Sequence, residues 1–246
     1  MALPDVVSRE EWRAARVELL AEEKKMTRAR DALSARRRRL PMVRVDKDYR
    51  FEGPTGTIGL LDMFEGRSQL IVQHFMFDPE WEDGCPSCTA GSDEISDGLL
   101  EHLHARDTTL AVVSRAPLPK IEAYKAKRGW RFPWYSSFGS DFNYDFHVTL
   151  DAARAPVEYN FRDADEIAAA GMEWMLEGSS EQPGHSTFLA VDGEVFHTYS
   201  MFARGGEWLG GSYAFLDLTA LGRQEDWEEP EGRAASVRPA VPDFAE

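Results

Sequence analysis

Two residues carry chemistry by type and spacing: Cys85 and Cys88, the only cysteines among 246 residues, in Gly84-Cys85-Pro86-Ser87-Cys88. Two thiols with two residues between them close a small disulfide or grip one soft metal ion. The pattern alone is a weak signal, so its flanks decide. Ahead of it, Gln69 to Phe77 is a short apolar stretch that reads as a buried strand, and behind it a helical pattern runs to about Arg106. Cys85 then falls at a helix N-terminus, where backbone N–H groups and the helix dipole favour a thiolate. In that arrangement Cys85 is the nucleophile, and Cys88, one turn further in, resolves the mixed disulfide.

Composition narrows the partners. The net charge of -15 repels nucleic-acid phosphate. The hydrophobic share of 43% is enough for a packed core. No apolar run approaches ~18 residues, so no membrane span is expected. The start, Met-Ala-Leu-Pro-Asp-Val-Val-Ser, has neither a basic n-region nor an apolar h-region. A cytoplasmic protein is the resulting expectation. In a reducing compartment a cysteine pair points to catalysis or metal binding more than to a structural staple.

The elements that must position the thiols come next. Residues 8 to about 38 read as one long polar helix, with Ser8 and Glu11 as a capping box. Its basic end, Arg36-Arg37-Arg38-Arg39, complements the helix dipole or offers a surface to a partner, and a homodimer through this helix is one expectation. Thr108 to Ser114 has the pattern of a buried parallel strand, and Pro119 to Arg128 that of a helix with Gly129 as its cap. Asp163 to Leu176 reads as a helix within an insertion. Asp192-Gly193, between two alternating runs, gives a hairpin, and Ser212 to Leu221 gives a closing helix. The chain divides into a helical extension at 1–40, an α/β domain at 41–225 and an acidic tail at 226–246.

The order strand, Cys-x-x-Cys helix, strand, helix, insertion, hairpin, helix resembles the thioredoxin and peroxiredoxin superfamily, with an extra N-terminal strand. Several stretches jointly resemble one bacterial family within it, a former domain of unknown function predicted to hold dithiol–disulfide oxidoreductases. They include Phe75-Met76-Phe77, the cysteine motif, Val113-Ser114-Arg115-Ala116-Pro117, Gly129-Trp130-Arg131-Phe132-Pro133-Trp134, Asp141-Phe142-Asn143-Tyr144-Asp145 and Phe196-His197-Thr198-Tyr199-Ser200. The resemblance implies a thioredoxin-like fold with a long N-terminal helix and a peripheral tail. It also implies exchange with a protein or small-molecule thiol or disulfide, with no cofactor required.

Two departures follow. Peroxiredoxins want Thr-x-x-Cys, and here Glu82-Asp83-Gly84-Cys85 offers no hydroxyl. Thioredoxins place a cis-proline opposite the cysteines, where this chain has Pro183-Gly184-His185-Ser186. Ser186 or His185 takes that position. A histidine there resembles the copper chaperones of cytochrome oxidase assembly, so Cys85, Cys88 and His185 form an alternative copper site. His185 also reads as a plain loop histidine or as an acid–base partner of Cys85. Trp134 and Tyr135, in an aromatic-rich segment, read as core or as a wall beside the thiols. Arg115, at a parallel strand's C-terminal end, and Arg204 are candidates to hold an anionic group. His74 and His147 read as structural, His102 and His104 as surface residues, and the facing of His197 stays open.

Overall fold

The computed structural model describes residues 3–225 and 227–230, so the acidic tail expected from Asp226 lies almost wholly outside the described residues. The described chain forms two compact units. One spans Met42–Ser212, and the other holds the residues up to Pro41 together with those from Tyr213.

In the second of these, helix α1 (Arg9–Arg37) starts at Ser8, whose hydroxyl accepts from Glu11 N–H while the Glu11 carboxylate accepts from Ser8 N–H. The expected capping box is therefore present. None of its residues is buried, and Trp12, Val17, Leu19 and Met26 are exposed.

The larger unit opens with β1 (Val43–Arg44), β2 (Arg50–Gly53), β3 (Gly56–Gly59) and a 3-10 turn at Leu61–Phe64. Then come β4 (Gln69–His74), α2 (Pro86–Asp93), α3 (Asp97–His104), β5 (Thr108–Ser114), α4 (Leu118–Arg128) and β6 (Trp134–Ser136). The insertion comprises α5 (Phe142–Asp145), β7 (Thr149–Asp151), β8 (Glu158–Tyr159), β9 (Arg162–Asp163), α6 (Ala164–Ala169) and β10 (Ser179–Glu181). The unit closes with β11 (Gly184–Val191), β12 (Glu194–Phe202) and a 3-10 segment at Ala203–Leu209, before α7 (Ser212–Leu216).

Eight strands form one sheet in the order β1-β12-β11-β4-β5-β6-β2-β3. At its centre β4 and β5 run parallel, and β11 and β12 form an antiparallel hairpin on the free side of β4. A strand, a helix carrying the cysteines, a parallel strand and a final hairpin make this a thioredoxin-like fold. The expected N-terminal strand is three short strands on opposite edges: β1 pairs with β12, and the β2–β3 hairpin pairs with β6.

Local signals account for most boundaries. Asp192 and Gly193 both take positive φ, as a two-residue hairpin turn requires. Gly129 caps α4 in the left-handed conformation. The helix expected to run from the cysteines to Arg106 is broken in two, because Ser96 starts a second helix by accepting from Leu99 N–H at 3.1 Å. The helix expected over Asp163–Leu176 shortens to α6 and a 3-10 turn at Glu173–Leu176, with Gly171 left-handed between them.

Strand alternation splits the core over the two faces of the sheet. Ala111 and Val113 of β5 pack with Leu70, Val72, Phe142 and Phe188 on one face. Val112, between them, packs on the other with Phe75, Phe77, Tyr124, Trp134 and Cys88. All seven residues of β5 are buried, as expected of a central parallel strand covered on both sides.

Gly84 lies where a Cβ would overlap the Phe75 ring, with Tyr124 close behind. Gly84→Ala should therefore destabilise the fold by about 1–3 kcal/mol through overpacking. Urea unfolding of the reduced protein measures this, and an unchanged midpoint would show that the ring gives way freely.

Candidate functional site: the cysteine pair

The chain leaves β4 through Phe75-Met76-Phe77 and returns to start α2. Cys85 N–H donates to Met76 C=O at 3.0 Å, and Cys85 becomes the N-cap residue of the helix. Pro86 occupies the first helical turn, where its missing N–H costs nothing. Cys88 falls at the third helical position and points into the aromatic cluster of Phe75, Phe77 and Trp134, whereas Cys85 is half-buried. Both thiols are free.

The two sulfurs interact, and this separates their acidities. The Cys85 thiol is lowered from its ordinary 9.0 to about 6, chiefly by a hydrogen bond from the Cys88 side chain; burial opposes the shift, and the N–H groups of Cys88 and Ser87 assist it. The Cys88 thiol is raised by the same hydrogen bond, by burial and by the Cys85 charge. Cys85 is thus the more acidic and more accessible thiol, and Cys88 the buried one.

The first turn is braced from several sides. Thr89 Oγ1 donates to Cys85 C=O at 2.9 Å and lies 2.9 Å from Tyr124 Oη. Gln73 Nε2 donates to Ser92 Oγ at 3.2 Å, tying α2 to β4. The loop before Cys85 is pinned from β5 and α4. Arg115 pairs with Asp78, Lys120 Nζ donates to the carbonyls of Pro79 and Trp81 at 2.6 and 2.5 Å, and Lys127 pairs with Asp83 at 3.0 Å.

Arg115 is thereby committed. Besides Asp78 it holds Glu181 at 2.7 Å, a carboxylate only 1% exposed that also accepts from Thr149 Oγ1. The expected anion-holding residue instead compensates two carboxylates of the fold. Arg204, the other anion candidate, pairs with Glu207 at 2.9 Å. Trp134 is wholly buried in the thiol-side cluster, its Nε1–H donating to Ser114 Oγ at 3.0 Å. Tyr135, next along the strand, points to the opposite face, so the structure does not bring the two together as one wall.

Ser186 is fully buried and bonded to His74 and Ser200, each at 2.8 Å, on the face away from the thiols. His185 shares the face of Gln73, and its ring lies against Gly206. Burial lowers His185 to about 4, so it is neutral near pH 7. Among the described residues no three His, Cys, Asp or Glu side chains are placed to hold a metal ion. The ligand set Cys85, Cys88 and His185 is therefore not assembled, because β11 directs the imidazole to the 203–209 segment. The peptide bond before Pro183 is not cis. His74 is buried, as the structural reading expected, whereas His147 is partly exposed beside Glu158.

Sequence reasoning missed Tyr159. Burial raises its phenol to about 12, with the Cys88 charge a smaller cause. Its hydroxyl accepts from Ala203 N–H at 3.1 Å and donates to Pro183 C=O at 3.3 Å, joining the ends of β11 and β12. Nothing in the local pattern around residue 159 marks it.

Over residues 1–238 the chain matches the family described as "Bacterial protein of unknown function (DUF899)". It belongs to that family. No curated protein matches it. Among solved structures, this DUF899 chain is similar to PrxQ of Xylella fastidiosa at 12% identity and TM-score 0.44, over 68% of its own length and 91% of the other's. It is similar to the bacterioferritin comigratory protein of Xanthomonas campestris with the same four values, 12%, 0.44, 68% and 91%. For peroxidoxin BcpB of Mycobacterium tuberculosis the values are 13%, 0.40, 67% and 86%. In the DUF899 chain no helix among the described residues is long and apolar enough to cross a membrane.

Three outcomes test this site. The reduced DUF899 protein should alkylate at Cys85 first, with a rate rising through pH 6, and Cys88→Ala should move that midpoint up by about one pH unit by removing the sulfur donor. Between pH 6 and 9 folded Cys85 is ionised while the unfolded thiol is protonated. The unfolded state then binds more protons, so the reduced protein should gain stability as pH rises through this window and lose it as pH falls through 6. Denaturation midpoints across that range, with Cys85→Ser as the flat reference, measure the effect. Separately, Arg115→Met strands Glu181 and should cost about 3 kcal/mol by urea unfolding; a loss below about 1 kcal/mol would show that Glu181 protonates freely.

Proposed function

We propose that this protein is a thiol–disulfide oxidoreductase working through Cys85 and Cys88, as the predicted role of the resembling bacterial family implies. The observation that carries the reading is two free thiols at one helix N-terminus, Cys85 half-buried at the cap and Cys88 enclosed almost one turn in, and the opposite directions of their acidity shifts agree with it. The Cys85 thiolate attacks one sulfur of a substrate disulfide. A Cys85–substrate disulfide forms, the substrate's own bond breaks, and the first substrate sulfur leaves as a thiolate. Cys88 then loses its proton and attacks the Cys85 sulfur, releasing the second thiolate and leaving a Cys85–Cys88 disulfide. Two electrons pass to the substrate, and an external dithiol restores the pair.

The raised pKa of Cys88 fits this order. Its hydrogen bond to the Cys85 thiolate and the charge of that thiolate both hold its proton on. Once Cys85 is tied up in a mixed disulfide both are gone, and only burial still opposes ionisation. Cys88 is therefore quiet until it is needed. The exchange calls on no cofactor.

With dithiothreitol as electron donor, the protein should accelerate reduction of insulin disulfides. Cys85→Ser should fall to the uncatalysed rate. Cys88→Ser should accumulate a mixed disulfide visible by mass spectrometry under non-reducing conditions. Equal rates in the wild type and both variants would refute the proposal.

A further inference from the structure

On the face of the sheet away from the thiols lies a cleft of about 500 Å³, within the range of small-molecule sites. Its walls include Val43 of β1 and Val45 just after it, Phe161 on the β8–β9 turn, and Phe146 and Phe202 from the core. His197 and Ser200 of β12 also line it. Residues three apart on a strand normally face opposite sides. A register shift at Thr187/Phe188, which pairs Ser186 with Ser200 but Phe188 with His197, brings both to this cleft.

These two groups end a hydrogen-bond chain that crosses three neighbouring strands. His74 Nε2 to Ser186 Oγ, Ser186 Oγ to Ser200 Oγ, and Ser200 Oγ to His197 Nε2 are each 2.8 Å. The chain has a direction. His74 Nδ1 is buried without a partner, and a bare lone pair there is tolerated better than an orphaned N–H. The His74 proton therefore sits on Nε2. His197 donates its other N–H to the Tyr199 carbonyl, so its Nε2 accepts. Protons thus point from His74 to His197. Ser200 spends its only hydrogen inside the chain and keeps one lone pair. What the floor of the cleft offers a ligand is an acceptor.

The charged rim is already matched. Lys47 lies 2.8 Å from Asp141 and 2.7 Å from Asp145, and Arg44 lies 2.7 Å from Asp46 and 2.8 Å from Glu194. Each cation faces two carboxylates, which disfavours an anionic ligand. The backbone supplies an independent sign of function. His147, Asn160 and Phe161, all lining the cleft, have φ of 53°, 50° and 63°. Asparagine tolerates that region, but for phenylalanine it is strained. Phe161 is 72% exposed, so burial does not compensate it, although its ring meets Phe202 edge-on. The turn holds an aromatic ring at the mouth where glycine would be the relaxed choice.

We propose that this cleft binds a small neutral aromatic molecule carrying one hydrogen-bond donor, a phenol being the simplest class: its ring packs against Phe161 and Phe202, and its hydroxyl donates to Ser200. The site is separate from the cysteine pair and does not depend on thiol chemistry.

The test uses 2-naphthol, followed by its own fluorescence, on the full chain. Saturable binding of one per chain is expected. 2-Methoxynaphthalene, which lacks the donor, and 2-naphthoate, which is anionic, should each bind about tenfold more weakly. Phe161→Gly should weaken 2-naphthol binding about tenfold while leaving the thermal midpoint unchanged or higher, since glycine adopts the turn freely. Ring resonances of His197 should shift on titration, and Cys85→Ser should bind as the wild type does. No saturable binding, equal binding of all three probes, unaltered binding by Phe161→Gly, or loss of binding in Cys85→Ser would each overturn the proposal.

Discussion

A thiolate placed half inside an aromatic cluster must be given hydrogen-bond donors, and the arrangement around it follows from that need. Cys85 is held below its ordinary 9.0 against the opposing effect of burial, first by the Cys88 thiol and then by the backbone N–H groups of Cys88 and Ser87. A helix dipole falls off within the first turn and adds to these donors without replacing them. Hydrogen bonds to a charged group are the stronger contribution, and here several meet on one sulfur. Those donors converge only if α2 begins at Cys85. The contacts that fix its start are therefore dense: Met76 C=O on Cys85 N–H, Gly84 under the Phe75 ring, Thr89 against Tyr124, and Arg115, Lys120 and Lys127 holding the loop before it.

The sheet divides the molecule's polar resources between its faces. The thiol face is aromatic, with Lys120, Lys127 and Arg128 over the rings of Phe77, Tyr124 and Trp130, and the Cys85 hydrogen bond together with burial there raises the Cys88 thiol. The other face carries a line of buried histidine and serine side chains among phenylalanines. Arg115 and Glu181 link β5 to the insertion strand β10, so a buried ion pair joins the site's loop to a segment distant in sequence. Such a pair is costly to break, because each partner would leave an uncompensated charge.

What the chain's letters reveal and conceal follows the range of the interactions. Short-range signals were readable: the cysteine spacing at a strand-to-helix junction, the Ser8–Glu11 box, the left-handed Gly129, the Asp192-Gly193 turn and the unbroken apolar run of β5. Facing was not. Ser186 and His185 are neighbours on one strand, so one had to turn from the thiol side, and only the register with β4 decides which. His197 defeats an alternation count because of the shift at Thr187/Phe188. Arg115 looked available because Glu181, its partner 66 positions later, cannot be anticipated from local pattern. The helical pattern after Cys88 runs on past a helix break that only the cap geometry of Ser96 reveals.

The unequal burial of the two thiols follows from their spacing more than from the residues between them. On a helix, the residue at the cap lies outside the hydrogen-bonded ladder, near the unpaired N–H groups, and a residue three positions on lies almost one turn further, on the same side but deeper. Cys85 occupies the first position and Cys88 the second. With α2 packed through Cys88 and Thr89 against β4 and α4, the cap residue is left at the edge of the cluster and the later one is enclosed by it. Replacing Pro86 or Ser87 would leave that difference in place. Reversing it would require α2 to start at another residue, and the Met76–Cys85 bond and the close approach of Gly84 to Phe75 hold that start in place.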